Sequence, residues 1–220
     1  MQFTCNNLTR FYWIILLVLF FPILSLADTP TGLFLLGISY LALLGFALNS
    51  MTRKIIVNNR HITCKNLFKE KSIRIIPESR IYICKNLHSL NLVYRHYDYR
   101  IKIINPNQTL TINANVNDAD SLYALIAQLE HNVILPVWLE RFHQKPSLRL
   151  DENLTLLKNG IQYKNKTYLY ENLSGMELKN GHFQLVANGR LWQTPVLNLP
   201  VFTIPNLTTF MTLINHNEAA

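Results

Sequence analysis

The sequence predicts a membrane-anchored α+β protein: an N-terminal transmembrane helical hairpin, then two β-rich units, each an antiparallel sandwich or barrel closed by a C-terminal helix. Three observations predict it. Two uncharged apolar runs, residues 11–27 and 32–48, stand back to back with only Asp28-Thr29-Pro30-Thr31 between them. Short runs of β-branched and aromatic residues fill much of the remainder, several alternating apolar with polar. A stretch with apolar residues at helical spacing closes each of two such sets.

The hairpin comes first. A helix needs roughly 20 apolar residues to cross a bilayer, and each run approaches that length, giving spans at about 10–28 and 31–49 within a hairpin of residues 1–51. Pro22 is tolerable inside a span because neighbouring backbone adjusts around it. Gly32, Gly37 and Gly45, with Ser39 and Ala42, read as a close-packing surface between the helices. No ionisable group lies inside either run, which argues against a transporter or proton relay. Arg10 precedes the first run; Arg53, Lys54 and Arg60 follow the second; the turn holds Asp28 and no basic residue. The positive-inside bias puts both termini in the cytoplasm. The expected address is the bacterial inner membrane, with the soluble part cytoplasmic. A second reading makes residues 1–27 a signal peptide cleaved after Ser25-Leu26-Ala27. The second run would then stop transfer, and the C-terminal part would still face the cytoplasm.

Residues 1–48 hold only Arg10 and Asp28 as charges, so the net charge of +8 belongs to the soluble part. Between Arg53 and Lys102, 12 basic residues face only Glu70, Glu78 and Asp98. A basic segment beside a span is attracted to anionic lipid, about 1 kcal/mol per Lys or Arg near the surface. Arg53, Lys54, Arg60, Lys65, Lys69 and Lys71 are the candidate lipid contacts. No groove-reading or base-stacking motif accompanies the charge, so nucleic acid is not expected. Cys5, Cys64 and Cys84 form no CxxC and no even framework, the pattern of reduced cytosolic thiols. The seven histidines are scattered without a carboxylate at i,i+4, so neither a metal nor another cofactor is expected. Six Asn-x-Ser/Thr sequons, at Asn7, Asn107, Asn153, Asn165, Asn172 and Asn206, would be silent in the cytoplasm.

The first unit, residues 53–144, shows strand-like runs at 54–57, 61–64, 72–76, 80–84, 91–94, 99–104 and 109–112. Asn58-Asn59, Pro77-Glu78 and Asn105-Pro106-Asn107 supply turns. Asn117-Asp118 caps a helix carrying Leu122, Leu125, Ile126, Leu129 and Val133 on one face. Pro136 ends or kinks it, and Trp138, Leu139 and Phe142 continue the apolar face. The second unit, residues 148–217, has runs at 153–157, 160–163, 167–170, 173–178, 182–186 and 191–193. Asn159-Gly160, Asn180-Gly181 and Asn188-Gly189 punctuate it. Pro205-Asn206 opens a last helix with Leu207, Phe210, Met211 and Ile214 on one face. The units align by eye: residues 57–66 match 157–165 with one gap, and 121–129 resemble 206–214, the sign of a duplication.

About seven short antiparallel strands closed by one helix resemble the pleckstrin-homology superfold. The likeness is carried by Asn159-Gly-Ile-Gln-Tyr163, Tyr168-Leu-Tyr-Glu-Asn-Leu-Ser174 and Ile204-Pro-Asn-Leu-Thr-Thr-Phe210, within residues 154–216. The whole plan is similar to bacterial two-span membrane proteins with tandem domains of that kind. The resemblance implies binding rather than chemistry. Eukaryotic members hold phosphoinositides, peptides or proteins through basic residues between the first strands; here Lys65, Lys69 and Lys71 stand between the second and third.

The expected function is therefore a membrane-tethered, non-enzymatic interaction or scaffold module. Its basic first unit faces anionic lipid and its second unit binds a protein or peptide. An alternative is a subunit of an envelope complex assembled through the hairpin. A membrane-bound hydrolase is the third reading, resting on Ser174 with His182 or on His96 with Asp98, without a G-x-S-x-G elbow. No catalytic residue is assigned.

Overall fold

The computed structural model describes the backbone of residues 1–5, 7–24, 29–90, 94–114, 116–188 and 195–218. It describes their side chains except at 8, 21, 24, 86–90, 94–99, 114, 217 and 218. The chain opens with a strand, β1 (Gln2–Thr4), ahead of the apolar helices α1 (Asn7–Leu24) and α2 (Pro30–Met51). The Thr29 hydroxyl caps α2 by accepting from the Gly32 N–H at 3.1 Å, and Pro30 occupies the first turn, where its missing N–H costs nothing. The two helices meet through stacked rings of Phe20 and Tyr40, centroids 5.8 Å apart. Gly37 and Gly45 do not form the packing surface between the helices that the sequence implied: a Cβ added at either would meet nothing within 4 Å. Outward faces carry Phe11, Val18, Phe34, Leu41 and Phe46, all more than half exposed.

Directly after α2 the chain re-enters the sheet that β1 began. Strands β2 (Lys54–Asn58), β3 (His61–Lys65) and β4 (Glu70–Arg74) complete a four-stranded antiparallel sheet in the order β1-β2-β3-β4. β1 pairs with β2 through Gln2–Ile56, Phe3–Ile55 and Thr4–Lys54, and the Val57 N–H donates to the Met1 carbonyl at 2.9 Å. The helical hairpin is thus an insertion between two adjacent strands. A second sheet of β5 (Arg80–Leu90), β6 (Tyr94–Asn105) and β7 (Gln108–Ala114) follows. The expected strand at 91–94 falls largely on residues 91–93, outside the described residues; Tyr94 opens β6.

Helix α3 (Ala119–Val133) starts at Asp118, whose carboxylate accepts from the Ser121 N–H at 3.3 Å. Pro136 stands in the first turn of a separate helix, α4 (Leu135–Gln144). Together α3 and α4 have the length and composition of a span, but Leu122, Ile126, Ile134 and Trp138 are buried, as in a core helix. The Trp138 ring N–H donates to the Pro77 carbonyl at 2.9 Å.

Strands β8 (Ser147–Arg149), β9 (Leu154–Leu157), β10 (Gly160–Tyr163) and β11 (Lys166–Leu169) form a third sheet. β12 (Leu173–Lys179), β13 (His182–Ala187) and β14 (Pro195–Pro200) form a fourth, and α5 (Leu207–Glu218) ends the chain. The expected strand at 191–193 and the turn glycine Gly189 lie outside the described residues. At the β12–β13 turn, Asn180 and Gly181 both take positive φ, 51° and 74°, as an Asn-Gly hairpin requires.

The expectation of two pleckstrin-homology-like units, each a closed sandwich or barrel with a C-terminal helix, is not met. The described residues form four small, separate antiparallel sheets, and the hairpin lies within the first instead of ahead of it. The physical reason lies in how the backbone is used where closure would occur. Between β4 and β5 the chain turns at Ile76–Ser79, and Pro77 has no N–H to give. The Ile76 N–H goes to the Ser79 hydroxyl at 2.8 Å, and Asn105 donates to the Arg74 carbonyl at 2.8 Å. At the β5 edge, the Ile81 N–H is taken by the Asn206 side chain at 2.8 Å. A short 3-10 turn, Tyr170–Asn172, separates β11 from β12 in the same way. The first two sheets are joined by an isolated bridge, Cys5–Val116, and by the Asn105–Arg74 hydrogen bond. One continuous apolar core still runs from Phe3 and Ile55 through Ile101 and Trp138 to Phe183 and Phe210. The Phe183 and Phe210 rings meet edge to face at 5.2 Å.

Candidate functional site

The strand register sorts the six candidate cations. Lys54 faces Lys65 directly across β2–β3, and Lys71 faces Cys64 across β3–β4, all at the end of the sheet where the hairpin leaves and returns. Lys69 sits in the β3–β4 turn at that same end. Two like charges face to face repel; Glu70, 2.9 Å from Lys65, offsets this. Arg53 is half-buried and donates to the Asn113 carbonyl at 3.3 Å, tying the hairpin exit to β7. Arg60 is separated from the rest: it lies in the β2–β3 turn, at the opposite end of the sheet. Burial pushes the Cys64 thiol pKa up, opposed by the nearby Arg53 charge.

The second feature is a cleft between the N-terminal and C-terminal halves. Alternation on β5 and β6 sends Ile81, Ile101 and Ile103 into the core and turns Tyr82, Cys84, Arg100 and Lys102 outward. The outward face and the segment around Asp151 and Tyr163 enclose a cavity of about 540 Å³. A second cavity of about 440 Å³, reaching Tyr123, Glu130 and His182, lies beyond Phe202, which lines both. Both volumes suit a small ligand or a side-chain-sized anchor. Burial raises the Tyr82 pKa, and the Asp151 charge adds to it, while Arg80 opposes. Asp151 itself is engaged: its carboxylate accepts from the Asn153 and Leu154 N–H groups at 2.7 and 2.8 Å.

Two buried polar residues hold the cleft together. Asn206 is wholly buried with φ 50°. Its side chain donates to the Ser79 carbonyl at 2.9 Å and accepts from the Ile81 N–H at 2.8 Å. Its own N–H donates to the Ile81 carbonyl at 2.8 Å. Glu130, on α3, is 1% exposed and accepts from the Thr209 N–H at 2.6 Å, in the first turn of α5. Desolvation raises its pKa from 4.5 to about 7, against the opposing pull of the Thr209 and Thr208 N–H groups. Sequence reading missed both residues as contacts between the halves. Asn206 was legible only as a sequon and a helix start, and Glu130 was not singled out.

The Glu130 shift has a signed consequence. Its native pKa lies above its unfolded value, so the native state holds more proton between pH 4.5 and about 7. Its contribution to stability is complete below pH 4.5 and is lost as pH rises through about 7. The loss is on the order of 3 kcal/mol. Denaturant midpoints measured in detergent from pH 4.5 to 8 are expected to fall more steeply for the native chain than for Glu130→Gln. The glutamine keeps an acceptor for Thr209 but does not titrate. Equal slopes would contradict the assignment.

Ser174 and His182 do not come together. The Ser174 hydroxyl contacts the Val186 and Ala187 carbonyls, both at 3.3 Å, while His182 faces Lys179 at the far end of the β12–β13 hairpin. Five strand positions, roughly 15 Å, separate them. The side chains of His96 and Asp98 lie outside the described residues. Among the described residues no group of three His, Cys, Asp or Glu side chains could hold a metal ion.

Geometry thus defines a β-rich body with an apolar helical hairpin inserted between its first two strands and a cleft between its halves. The chain belongs to a family of unknown function (DUF6585), whose model matches residues 3–220, taking in β1, the hairpin and both halves. No curated protein and no solved structure matches the chain.

Proposed function

We propose that this protein is a membrane-tethered, non-enzymatic interaction module of the bacterial cytoplasmic membrane. Its body lies on the cytoplasmic side, its basic end meets anionic lipid, and its cleft holds a protein or peptide partner. The observation that carries the reading is the pairing of β1 with β2 on either side of the hairpin. Helices that leave and return at adjacent strands have both ends on the body's side, as a two-span anchor requires. Their exposed apolar faces fit acyl chains. Arg10, Arg53 and Lys54 flank the hairpin on that side, in keeping with a cytoplasmic body. Cleavage after Ala27 would detach β1 from its sheet, which favours the retained span over a signal peptide.

The test uses the full chain in nanodiscs. Amide hydrogen exchange in residues 54–71 is expected to slow when phosphatidylglycerol replaces phosphatidylcholine, and the slowing to fade as salt rises. Exchange that ignores both lipid charge and salt would reject the lipid contact. Phe202→Asp is expected to abolish recovery of a partner that the native chain retains in stringent washes. Retention of that partner by the variant would remove the cleft from the reading.

One observation favours an envelope-complex subunit assembled through the hairpin. Gly37 and Gly45 face open space, as they would where another chain's helix packs. Replacing both with leucine is expected to disperse such a complex while leaving the body folded.

A further inference from the structure

The turn between β3 and β4 carries two exposed apolar side chains that nothing in the fold explains. Leu67 is 51% and Phe68 66% exposed, and they are adjacent. The turn that displays them is well built. The Asn66 N–H donates to the Lys69 carbonyl at 2.9 Å, and the Lys69 N–H returns to the Asn66 side chain at 2.8 Å. Their exposure is therefore a property of a closed turn with fixed geometry. Lys65, Lys69 and Lys71 flank the pair, and all three are exposed.

Register gives the turn its position. Lys65 lies opposite Lys54, three residues after the end of α2 at Met51. Leu67 and Phe68, each two positions past the Lys65–Glu70 pair, extend up to about 7 Å beyond that row, at 3.3 Å per strand residue, on the side from which the hairpin emerges. The β2–β3 turn at the opposite end of the sheet, Asn58–His61, holds no apolar residue; the chain-terminal Met1, 74% exposed, is the large apolar side chain at that end.

We infer that Leu67 and Phe68 insert into the bilayer surface beside the hairpin, while Lys65, Lys69 and Lys71 bind the phosphates of anionic headgroups. The occupant is the lipid of the membrane that α1 and α2 cross, so the inference rests on the tethering proposed above. An apolar tip ringed by lysines is complementary to the acyl–headgroup boundary, where buried apolar area and charge attraction both contribute. The turn is a third point of contact, and it fixes the rotation of the body about the hairpin axis.

The experiment uses full chains carrying the photoreactive residue p-benzoylphenylalanine at position 68, 60 or 41, in vesicles of phosphatidylethanolamine and phosphatidylglycerol. Lipid adducts are counted by mass spectrometry. Phe68 is the tip, Arg60 the far end of the same sheet and Leu41 the outward face of α2. Adducts are expected at 41 and 68, with yield at 68 exceeding that at 60 roughly tenfold and dropping severalfold in pure phosphatidylcholine, as an electrostatic share requires. Adducts at 41 with none at 68 would overturn the inference and leave the tether intact. Adducts at neither would overturn both. A yield at 68 unchanged in phosphatidylcholine would overturn the role of the lysines, and a protein adduct at 68 would replace lipid with a partner.

Discussion

Asn206→Ala is expected to destabilise the protein by about 3–7 kcal/mol, measured as the shift in denaturant unfolding in detergent. The sum has three parts. The Ser79 carbonyl and the Ile81 N–H would each lose their partner in a site closed to water, at about 1–3 kcal/mol apiece. The backbone at 206 sits at φ 50°, where alanine pays about 1 kcal/mol more than asparagine, whose side chain tolerates the left-handed region. Asn206→Asp keeps the acceptor for Ile81 but loses the donor to Ser79 and buries a charge, so it is expected to be at least as damaging. A loss below about 1 kcal/mol for the alanine variant would mean that the halves do not depend on this contact.

The second large effect is expected at the other end of the chain. Phe3→Ala should cost about 3–5 kcal/mol, the usual range for emptying a phenylalanine site in a packed core. Phe3 is 5% exposed and lies across from Ile55, which is wholly buried. Because β1 is only three residues long, the loss falls on one anchoring side chain. The variant should also become sensitive to proteases between β1 and α1, as the strand leaves the sheet. Its neighbour Gln2 is exposed, and Gln2→Ala is expected to change stability by under ~0.5 kcal/mol. Similar losses from the two variants would contradict the role given to the Phe3 side chain.

Local patterns in the sequence were readable where the physics is local. The Asp118 cap, the break at Pro136, the Asn180-Gly181 turn and the apolar faces of α3 and α5 each follow from residues within a few positions of one another. β1 was not readable. Gln2-Phe3-Thr4 is too short to show alternation, stands against an apolar helix, and pairs with residues 54–56 across the whole hairpin. Strands β8 and β14 escaped for related reasons: one is three residues long, and the other begins and ends in proline. Closure failed as an expectation because alternation tells which face of a strand is buried and says nothing about what occupies its edge. Here Asn206, 125 positions away from Ile81, takes the N–H at the β5 edge.

The same contrast holds for the candidate site. Positive charge after the hairpin was visible in composition, but only the register separates Arg60 from Lys54, Lys65, Lys69 and Lys71. Arg53 reads as one more surface cation in sequence, yet its guanidinium joins the hairpin exit to β7. The cleft needs both halves of the chain and so leaves no local trace.

The most direct test is the sidedness of the two chain ends relative to the hairpin turn. Epitope tags placed before Met1, at Thr31 and after Ala220 are read by protease accessibility in sealed right-side-out vesicles. The pairing of β1 with β2 predicts that both terminal tags share one side and the Thr31 tag lies on the other; with the basic flanks inside, the terminal tags are protected and the Thr31 tag is cleaved. Terminal tags on opposite sides of the membrane, or all three tags on one side, would contradict a two-span anchor inserted in the first sheet.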